Sequence, residues 1–177
     1  EKPVINDEYQ YEGNMPNDFG NCSAEIETKR HWMAAMAGIY ATHGEMYMWD
    51  EQRTDIFWST GGTIEGGSAR RLKYLKDLMS SLPFDSLEVD QRLSDGVDFF
   101  TVRSGTDLFV SFFSPEYKDR PHFQLAHDAS DPTPYELEIH DVWMCRRAAN
   151  VIRRPGAATI PMPQWAVVIG RKQLTNE

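Results

Sequence analysis

The sequence predicts an α/β part followed by an all-β part in one chain of 177 residues. Up to about residue 83, short apolar runs alternate with helical patterns, which is typical of a parallel α/β sheet or barrel. Beyond that point the sequence changes to short β-branched and aromatic runs separated by turn residues, which is typical of an antiparallel β-sandwich. We therefore expect one domain in residues 1–83 and a second domain in residues 84–177.

Two short apolar runs in the first part are expected to form strands. Residues 3–5 are apolar and are followed by acids, and residues 39–42 form the second run, which also ends in polar groups. Both runs lack the alternation of a strand that has one wet face. They are therefore predicted to be buried on both faces, as strands of a parallel sheet are.

Between these strands the sequence predicts a helix. Ser23 is a suitable N-cap, and Glu25 and Glu27 stand in the first turn, where the helix dipole favours anions. Apolar residues recur beyond them at helical spacing, and Gly38 is expected to end the helix.

A long loop and a second helix complete the first part. Residues 46–67 are rich in tryptophan and glycine, and a loop of that length in a compact domain is usually functional. Ser68 is expected to cap the helix that follows, and Pro83 is expected to stop it. Arg70 and Arg71 oppose the dipole at the start of this helix, which indicates either an acidic partner nearby or a solvated face.

The second part contains the strand patterns of a sandwich. Five short runs carry β-branched and aromatic residues between turns: residues 97–105, 106–114, 122–126, 135–143 and 164–172. The basic cluster in residues 146–155 is expected to form a surface hairpin rather than a binding patch.

Charge and composition exclude several classes of partner. The formal net charge is -9 and the pI is near 5.0, so a phosphate backbone or an anionic membrane surface would be repelled. No stretch of sequence approaches the roughly 20 apolar residues of a membrane span. Cys22 and Cys145 lie far apart and match no metal or redox spacing, so we expect free thiols. We expect no cofactor, and neither a nucleic acid nor a membrane as a partner.

Polar residues follow both predicted strands of the first part. Asp7 and Glu8 follow the first strand, and His43 and Glu45 follow the second. In parallel α/β folds the catalytic groups gather at the carboxyl ends of the strands. Two carboxylates there could cleave a glycosidic bond, with retention if they are about 5 to 5.5 Å apart and with inversion if they are about 6.5 to 9.5 Å apart. Nearby aromatic residues would suit the apolar face of a sugar ring: Tyr9, Tyr11, Tyr47, Trp49 and Trp58.

The chain resembles the C-terminal part of bacterial apiosidase-like, endoglucanase-type glycoside hydrolases in four segments: KPVINDEYQYEGNMP, HWMAAMAGIYATHGEMY, DIFWSTGGTIEGGSARRLKYLKDLM and YELEIHDVWM. The most specific of these motifs are DEYQYEGN and THGE. The resemblance implies a (β/α)₈ TIM barrel followed by a small β-sandwich. Residues 3–7 would be barrel strand seven, residues 39–43 strand eight, and residues 70–82 the last barrel helix. It covers only the last quarter of such a barrel, so we expect the chain to be a fragment.

The same resemblance implies a set of site residues. Glu8, at the end of strand seven, would be the nucleophile of a retaining glycoside hydrolase, and the general acid would belong to strand four, upstream of this chain. The substrate would be bound by Asp7, Tyr11, Glu12, His43, Glu45, Trp49 and Trp58. The expected partners are a carbohydrate substrate and the remainder of the barrel, in the same or another chain. An extracytoplasmic location follows from the usual polysaccharide substrates of the family.

Several of these residues have a structural interpretation as well. Glu8 could be a salt-bridged acid at a strand end, and Asp7 is expected to orient a neighbour or to cap the loop backbone. Glu12 either binds a sugar hydroxyl or holds a glycine-containing loop through backbone N–H groups. His43 and Glu45 either contact substrate or form a structural pair.

Two further alternatives concern metal binding and the sandwich. The combination of Glu8, His43 and Glu45 suggests a metal site, but the close histidine spacing common in zinc sites is absent, so we expect no metal. Trp143 and Trp165 either bind polysaccharide or lie in the sandwich core. The alternative to an enzyme is therefore a non-catalytic module that binds carbohydrate or braces the barrel.

Overall fold

The structure is a computed structural model of the 177-residue chain. It describes residues 2–16, 18–50, 53–56, 64–91, 94, 96–117, 132–155 and 160–173, and for residues 49, 50 and 53–56 it describes the backbone alone. The chain divides into two compact units, Glu1–Asp77 and Leu78–Glu177. No helix in these described ranges is long and apolar enough to cross a membrane.

The first unit is a mixed α/β structure. Its elements in chain order are β1 (Ile5–Asn6), β2 (Glu12–Gly13), α1 (Ala24–Met36), β3 (Tyr40–Ala41), β4 (Glu45–Asp50), β5 (Arg53–Ile56) and the beginning of α2 (Ala69–Ser80). Strands β1 and β3 pair in parallel, with Ile5 opposite Tyr40. Strands β2 and β4 also pair in parallel, with Glu12 opposite Glu45. Residues 5–13 and 40–46 therefore run side by side in the same direction.

Helix α1 connects the parallel strands and begins as predicted. The Ser23 hydroxyl accepts a hydrogen bond from the backbone N–H of Ile26 at 3.3 Å, which satisfies one of the free donors of the first turn. The helix ends at Met36, and Gly38 follows with a φ of 71°, a backbone conformation that glycine adopts without steric penalty.

Two expectations about this unit are wrong. Val4 and Ile5 are 59% and 60% exposed and Tyr40 is 59% exposed, so neither predicted strand is buried on both faces. Among the described residues their sheet has two strands, which is too few to cover them. The expected loop over residues 46–67 begins instead with an antiparallel hairpin of β4 and β5, because alternating side chains such as Tyr47 and Met48 suit paired strands.

The second unit is built on an antiparallel sheet. Its strands are β6 (Glu88–Val89), β7 (Phe99–Ser104), β8 (Leu108–Phe113), β9 (Tyr135–Asp141), β10 (Arg146–Arg153) and β11 (Ala166–Lys172). They form one six-stranded sheet in the order β10-β9-β11-β8-β7-β6. Strand β10 contains most of the basic cluster and forms an exposed edge beside β9. The expected strand over residues 122–126 lies outside the described residues.

Both faces of the central strands in this sheet are buried. Every residue of β8 is buried, because Phe109 and Phe113 point to one face while Val110 and Phe112 point to the other. The largest cluster on one face comprises Phe109, Phe113, Tyr135, Leu137, Ile139, Ile160, Ala166 and Val168. A mixed α/β unit and an antiparallel β unit are therefore present, while the barrel and the sandwich stay predictions.

Candidate functional site

The parallel register of the first unit brings the ends of its two strand segments together. Beyond the pair of β1 and β3, the backbone N–H of Glu12 donates to the carbonyl oxygen of Gly44 at 3.1 Å. The Thr42 hydroxyl donates to the backbone carbonyl of Asp7 at 2.7 Å. The segment that carries Asp7, Glu8 and Glu12 is thus hydrogen-bonded at several positions to the segment that carries His43 and Glu45.

Glu12 is a buried acid whose carboxylate is surrounded by donors. Its Oε1 accepts the N–H of Gly67 at 2.7 Å and the hydroxyl of Tyr47 at 3.0 Å. Its Oε2 accepts the N–H of Ser68 at 2.9 Å and the Ser68 hydroxyl as well. Burial of this 2%-exposed residue by itself raises the pKa of Glu12, but the hydrogen bonds from Ser68, Gly67 and Tyr47 outweigh burial and lower it below its usual value. Glu12 is therefore ionised at neutral pH.

Glu45 is a second buried acid and is held by the two residues that precede those donors. Its Oε2 accepts the backbone N–H of Glu65 at 2.9 Å and that of Gly66 at 3.1 Å. Its Oε1 is buried and accepts no hydrogen bond from any residue in the described part of the chain. Nε2 of His43 lies 3.8 Å from this oxygen.

The loop over residues 65–68 therefore offers four consecutive backbone N–H groups to two carboxylates. The last of these N–H groups belongs to Ser68, which immediately precedes α2, so Glu12 lies where a helix N-terminus binds anions. Gly66 has to be glycine, because a Cβ there would lie 2.5 Å from both Glu12 Oε2 and Glu45 Oε1. The buried Arg71 braces the same loop by donating to the Gly67 carbonyl, while Glu12 binds the backbone N–H groups before the helix.

His43 connects to this cluster through Ser68. Its Nε2 lies 2.9 Å from the Ser68 hydroxyl oxygen. Because the Ser68 hydroxyl donates its hydrogen to the ionised Glu12, it can only accept from His43, which assigns the ring proton to Nε2. Burial lowers the pKa of His43 below its ordinary value, and the nearby Glu45 and Glu12 oppose that effect. His43 is thus a neutral ring at neutral pH, with Nδ1 as an acceptor.

Glu8, Asp7 and Tyr11 form a more exposed group on the segment between β1 and β2. Glu8 and Asp7 are exposed, and the backbone N–H of Glu8 donates to the Asn6 side chain at 3.3 Å. The Tyr11 hydroxyl is hydrogen-bonded to Glu8; desolvation, and then the charge of Glu8, raise the pKa of Tyr11. The Tyr11 ring lies against Gly44, where a Cβ would be 2.6 Å from it, so this glycine allows the two segments to approach.

A third buried acid lies in α1. Glu27 is fully buried, and that burial raises its pKa to about 7, although Arg30 opposes the shift. Its carboxylate lies 3.6 Å from Nδ1 of His31. The His31 ring in turn is 6.2 Å from the ring of His43, edge to face.

The structure thus brings together three of the predicted site residues, Glu12, His43 and Glu45. Each offers one ligand atom, and these atoms all lie within 4.8 Å of one another. The backbone of Trp49 lies in β4, but its side chain is not among those described, and Trp58 lies outside the described residues.

Sequence reasoning missed most of the residues that hold this cluster. The sequence alone indicates only loop residues at Gly66 and Gly67, a helix cap at Ser68 and a stacking aromatic at Tyr47. The available signal was the Gly-Gly-Ser sequence directly before a helix, since such a sequence exposes several backbone N–H groups to an anion.

Trp143 and Trp165 lie in the second unit, where they stack on each other. Their ring centroids are 5.4 Å apart and their planes differ by 23°. Trp165 is only 6% exposed, so it belongs to the interior rather than to a sugar-binding surface.

Comparison with known proteins relates this chain to glycoside hydrolases. No protein-family model and no curated protein matches the sequence. Among solved structures, a candidate glycoside hydrolase from Bacteroides vulgatus has a TM-score of 0.77 and 26% identity over 97% of this chain, and 36% of its own chain is covered. A glycoside hydrolase family 5 protein from the same organism has a TM-score of 0.62 at 18% identity. That match covers 97% of this chain and 42% of the other protein's chain.

A third solved structure, described as a glycoside hydrolase, has a TM-score of 0.60 at 14% identity, with 97% of this chain and 42% of its own covered. The chain therefore spans about two fifths of the length of these proteins. It has the fold of a part of glycoside hydrolase chains, and the likeness to the first of them supports a relationship to glycosidases.

Proposed function

We propose that this chain is the C-terminal part of a retaining glycoside hydrolase, comprising the last strands and helices of a TIM barrel and a β-sandwich domain. The observation that carries the proposal is the parallel pairing of β1 and β3, since it sets the segment of Glu8 beside that of His43. Almost all of this chain also superposes on part of a candidate glycoside hydrolase. Bacterial enzymes of this kind act on polysaccharides, so we propose an extracytoplasmic location.

In this proposal Glu8 is the nucleophile. Its carboxylate oxygen attacks the anomeric carbon while the bond from that carbon to the leaving oxygen breaks, and an acid from the upstream barrel protonates the leaving oxygen. Water then cleaves the glycosyl ester and restores the carboxylate. The exposure of Glu8 supports this role, because a nucleophile must reach its substrate. The Tyr11 hydroxyl would orient the attacking carboxylate.

The other site residues divide into two groups in this proposal. Asp7, Tyr11, His43, Trp49 and Trp58 contact the sugar. Glu12 and Glu45 act as positioning residues, because three of their four oxygen atoms already accept hydrogen bonds from the loop and from Tyr47. They fix the segments from which Glu8 and His43 project.

The exposed apolar strand supports a larger barrel. Val4 and Ile5 would be covered if a further strand and helices flanked β1, as they do in a closed barrel. We propose that the remainder of the barrel, in the same or another chain, is the main partner of this surface and supplies the general acid.

Mechanism-based trapping tests the nucleophile in the full-length protein. A 2-deoxy-2-fluoro glycosyl fluoride that the enzyme accepts should leave one sugar on a peptide that contains Glu8. The Glu8→Gln variant should lose hydrolysis by roughly a thousandfold or more while it still binds sugar. Glu25→Gln removes an exposed acid from α1 and serves as the matched control. Survival of activity in Glu8→Gln, or a label on another carboxylate, would contradict the proposal.

A second experiment tests the upstream acid. Residues 1–177 alone should hydrolyse neither aryl glycosides nor polysaccharide fragments, and robust turnover would show that the acid lies within this chain. The alternative of a carbohydrate-binding module gains nothing from Trp143 and Trp165, whose rings stack on each other. Retention of residues 84–177 on polysaccharide affinity gels would nevertheless favour it.

A further inference from the structure

The cluster of Glu12, His43 and Glu45 has the composition of a metal site. Two buried carboxylates and one imidazole each present a ligand atom, and the three atoms lie within 4.8 Å of one another. We infer that this cluster binds one divalent cation of the zinc or manganese class, through one carboxylate oxygen of Glu12, Nε2 of His43 and Oε1 of Glu45. The inference rests on neither Glu8 nor hydrolysis.

The state of Glu45 provides the independent reason to place a cation here. The residue is 3% exposed, and its Oε1 accepts no hydrogen bond within the described ranges, although its Oε2 accepts two. A buried carboxylate oxygen without a donor is costly, and a bound cation would satisfy it. Nε2 of His43 lies 3.8 Å from this oxygen, and Glu12 offers a ligand atom to the same cluster, whereas a purely structural acid would be expected to have a donor there.

The two carboxylates also converge. The position of a hypothetical Cβ on Gly66 lies 2.5 Å from Glu12 Oε2 and 2.5 Å from Glu45 Oε1. The lack of a side chain at this residue therefore lets both oxygens approach the same small space. His43 closes the cluster, with its Nε2 3.8 Å from Glu45 Oε1.

The donor set selects the class of cation. Imidazole and carboxylate together suit Zn²⁺ or Mn²⁺, whereas Ca²⁺ and Mg²⁺ prefer oxygen ligands alone. Ligand atoms about 2.0 to 2.2 Å from one ion are about 3 to 3.5 Å apart, so the three atoms need to move together by roughly 1 Å at most. The exposed fraction of the His43 side chain is 21%, which leaves room for that movement.

Binding requires one exchange of hydrogen bonds. Nε2 of His43 now donates to the Ser68 hydroxyl, and to bind a cation the ring must carry its proton on Nδ1 instead. Ser68 keeps its bonds to Glu12 through both its hydroxyl and its backbone N–H. No backbone hydrogen bond of the loop has to break.

Direct binding measurements on the full-length protein test this inference. After removal of metal with a chelator and dialysis, Zn²⁺ is titrated by calorimetry and Mn²⁺ by electron paramagnetic resonance. We expect saturable binding of one ion per chain at this cluster and a higher thermal midpoint with Zn²⁺. Glu45→Gln should weaken binding by about tenfold or more, since it removes a ligand.

Two further variants make the result decisive. Glu65→Gln removes an exposed charge from the same loop. Because Glu65 contacts Glu45 through its backbone N–H, which this change keeps, the affinity of the variant for the cation should stay within about twofold of that of the wild type. His43→Gln removes the imidazole and should weaken binding like Glu45→Gln, which covers the case in which Glu45→Gln does not fold. Absence of saturable binding, or equal affinity in wild type and in a folded ligand variant, would overturn the inference.

Discussion

The backbone N–H of Ser68 donates to Oε2 of Glu12 at 2.9 Å and joins residues that are 56 positions apart in the chain. The N–H of Gly67 donates to the other oxygen of the same carboxylate at 2.7 Å. The N-terminus of α2 thus binds an internal anion, as helix N-termini bind phosphate or sulfate in other proteins. This contact fixes the loop before α2 to the segment that carries Glu8.

Replacing Glu12 by glutamine should open this loop. An amide presents only one acceptor oxygen, so its NH₂ group would face donors that now bind the carboxylate. We expect the local stability to fall by about 2 to 3 kcal/mol and the amide exchange of Gly67 and Ser68 to accelerate roughly 30- to 150-fold. Hydrogen exchange with mass spectrometry measures this on the full-length protein. Glu25→Gln is the control, and equal protection in both variants would contradict the role of Glu12.

Adding a methyl group at Gly66 should disturb both carboxylates. The Cβ of alanine would lie 2.5 Å from Glu12 Oε2 and Glu45 Oε1, and the loop hydrogen bonds prevent either side chain from moving away freely. We expect Gly66→Ala to lower stability by about 2 to 4 kcal/mol. Gly38→Ala is the comparison, because that position has a φ of 71° and open space around it. Backbone strain alone should therefore lower the stability of this variant by about 1 to 2 kcal/mol. A smaller loss at Gly66 than at Gly38, measured by urea denaturation, would refute the crowding argument.

Glu27 should make stability depend on pH near neutrality. Its pKa is about 7 in the folded chain and 4.5 is its ordinary value, so between these values the folded state binds more protons than the unfolded state. Stability is therefore expected to fall as the pH rises from about 5 to 8, by up to about 3 kcal/mol. Glu27→Gln should remove this slope, while Glu25→Gln should keep it. Urea denaturation at several pH values measures the free energy of unfolding of each variant. If that free energy depends on pH equally in wild type and in Glu27→Gln, Glu27 is not the group responsible.

The hydroxyl of Tyr11 should matter for activity more than for folding. If Glu8 is the nucleophile, Tyr11→Phe removes the hydrogen bond that orients it and should lower kcat/KM for an aryl glycoside by about 10- to 100-fold. Tyr40→Phe on β3 removes an exposed hydroxyl, and its kcat/KM should stay within about twofold of the wild-type value. Equal activity of the two variants would show that Tyr11 does not support the nucleophile.

The expectation of no metal stays a prediction, and the metal titration tests it. This expectation rests on the absence of histidines at close sequence separation, which is a property of local chain segments. Parallel pairing of β2 with β4 places Glu12 opposite Glu45, although 32 positions lie between them. This register brings Glu12 close to His43 and Glu45, which spacing along the sequence does not predict.

By itself, the sequence determined the elements that depend on neighbours along the chain. The cap of α1 by Ser23 follows from a hydrogen bond within three residues, and the strand on either side of this helix follows from a short apolar run. Tertiary structure alone decided which acids are buried. Glu12 and Glu45 are held by residues 65–68 while Glu8 stays exposed, because those N–H donors come from a distant loop that no local pattern connects to them.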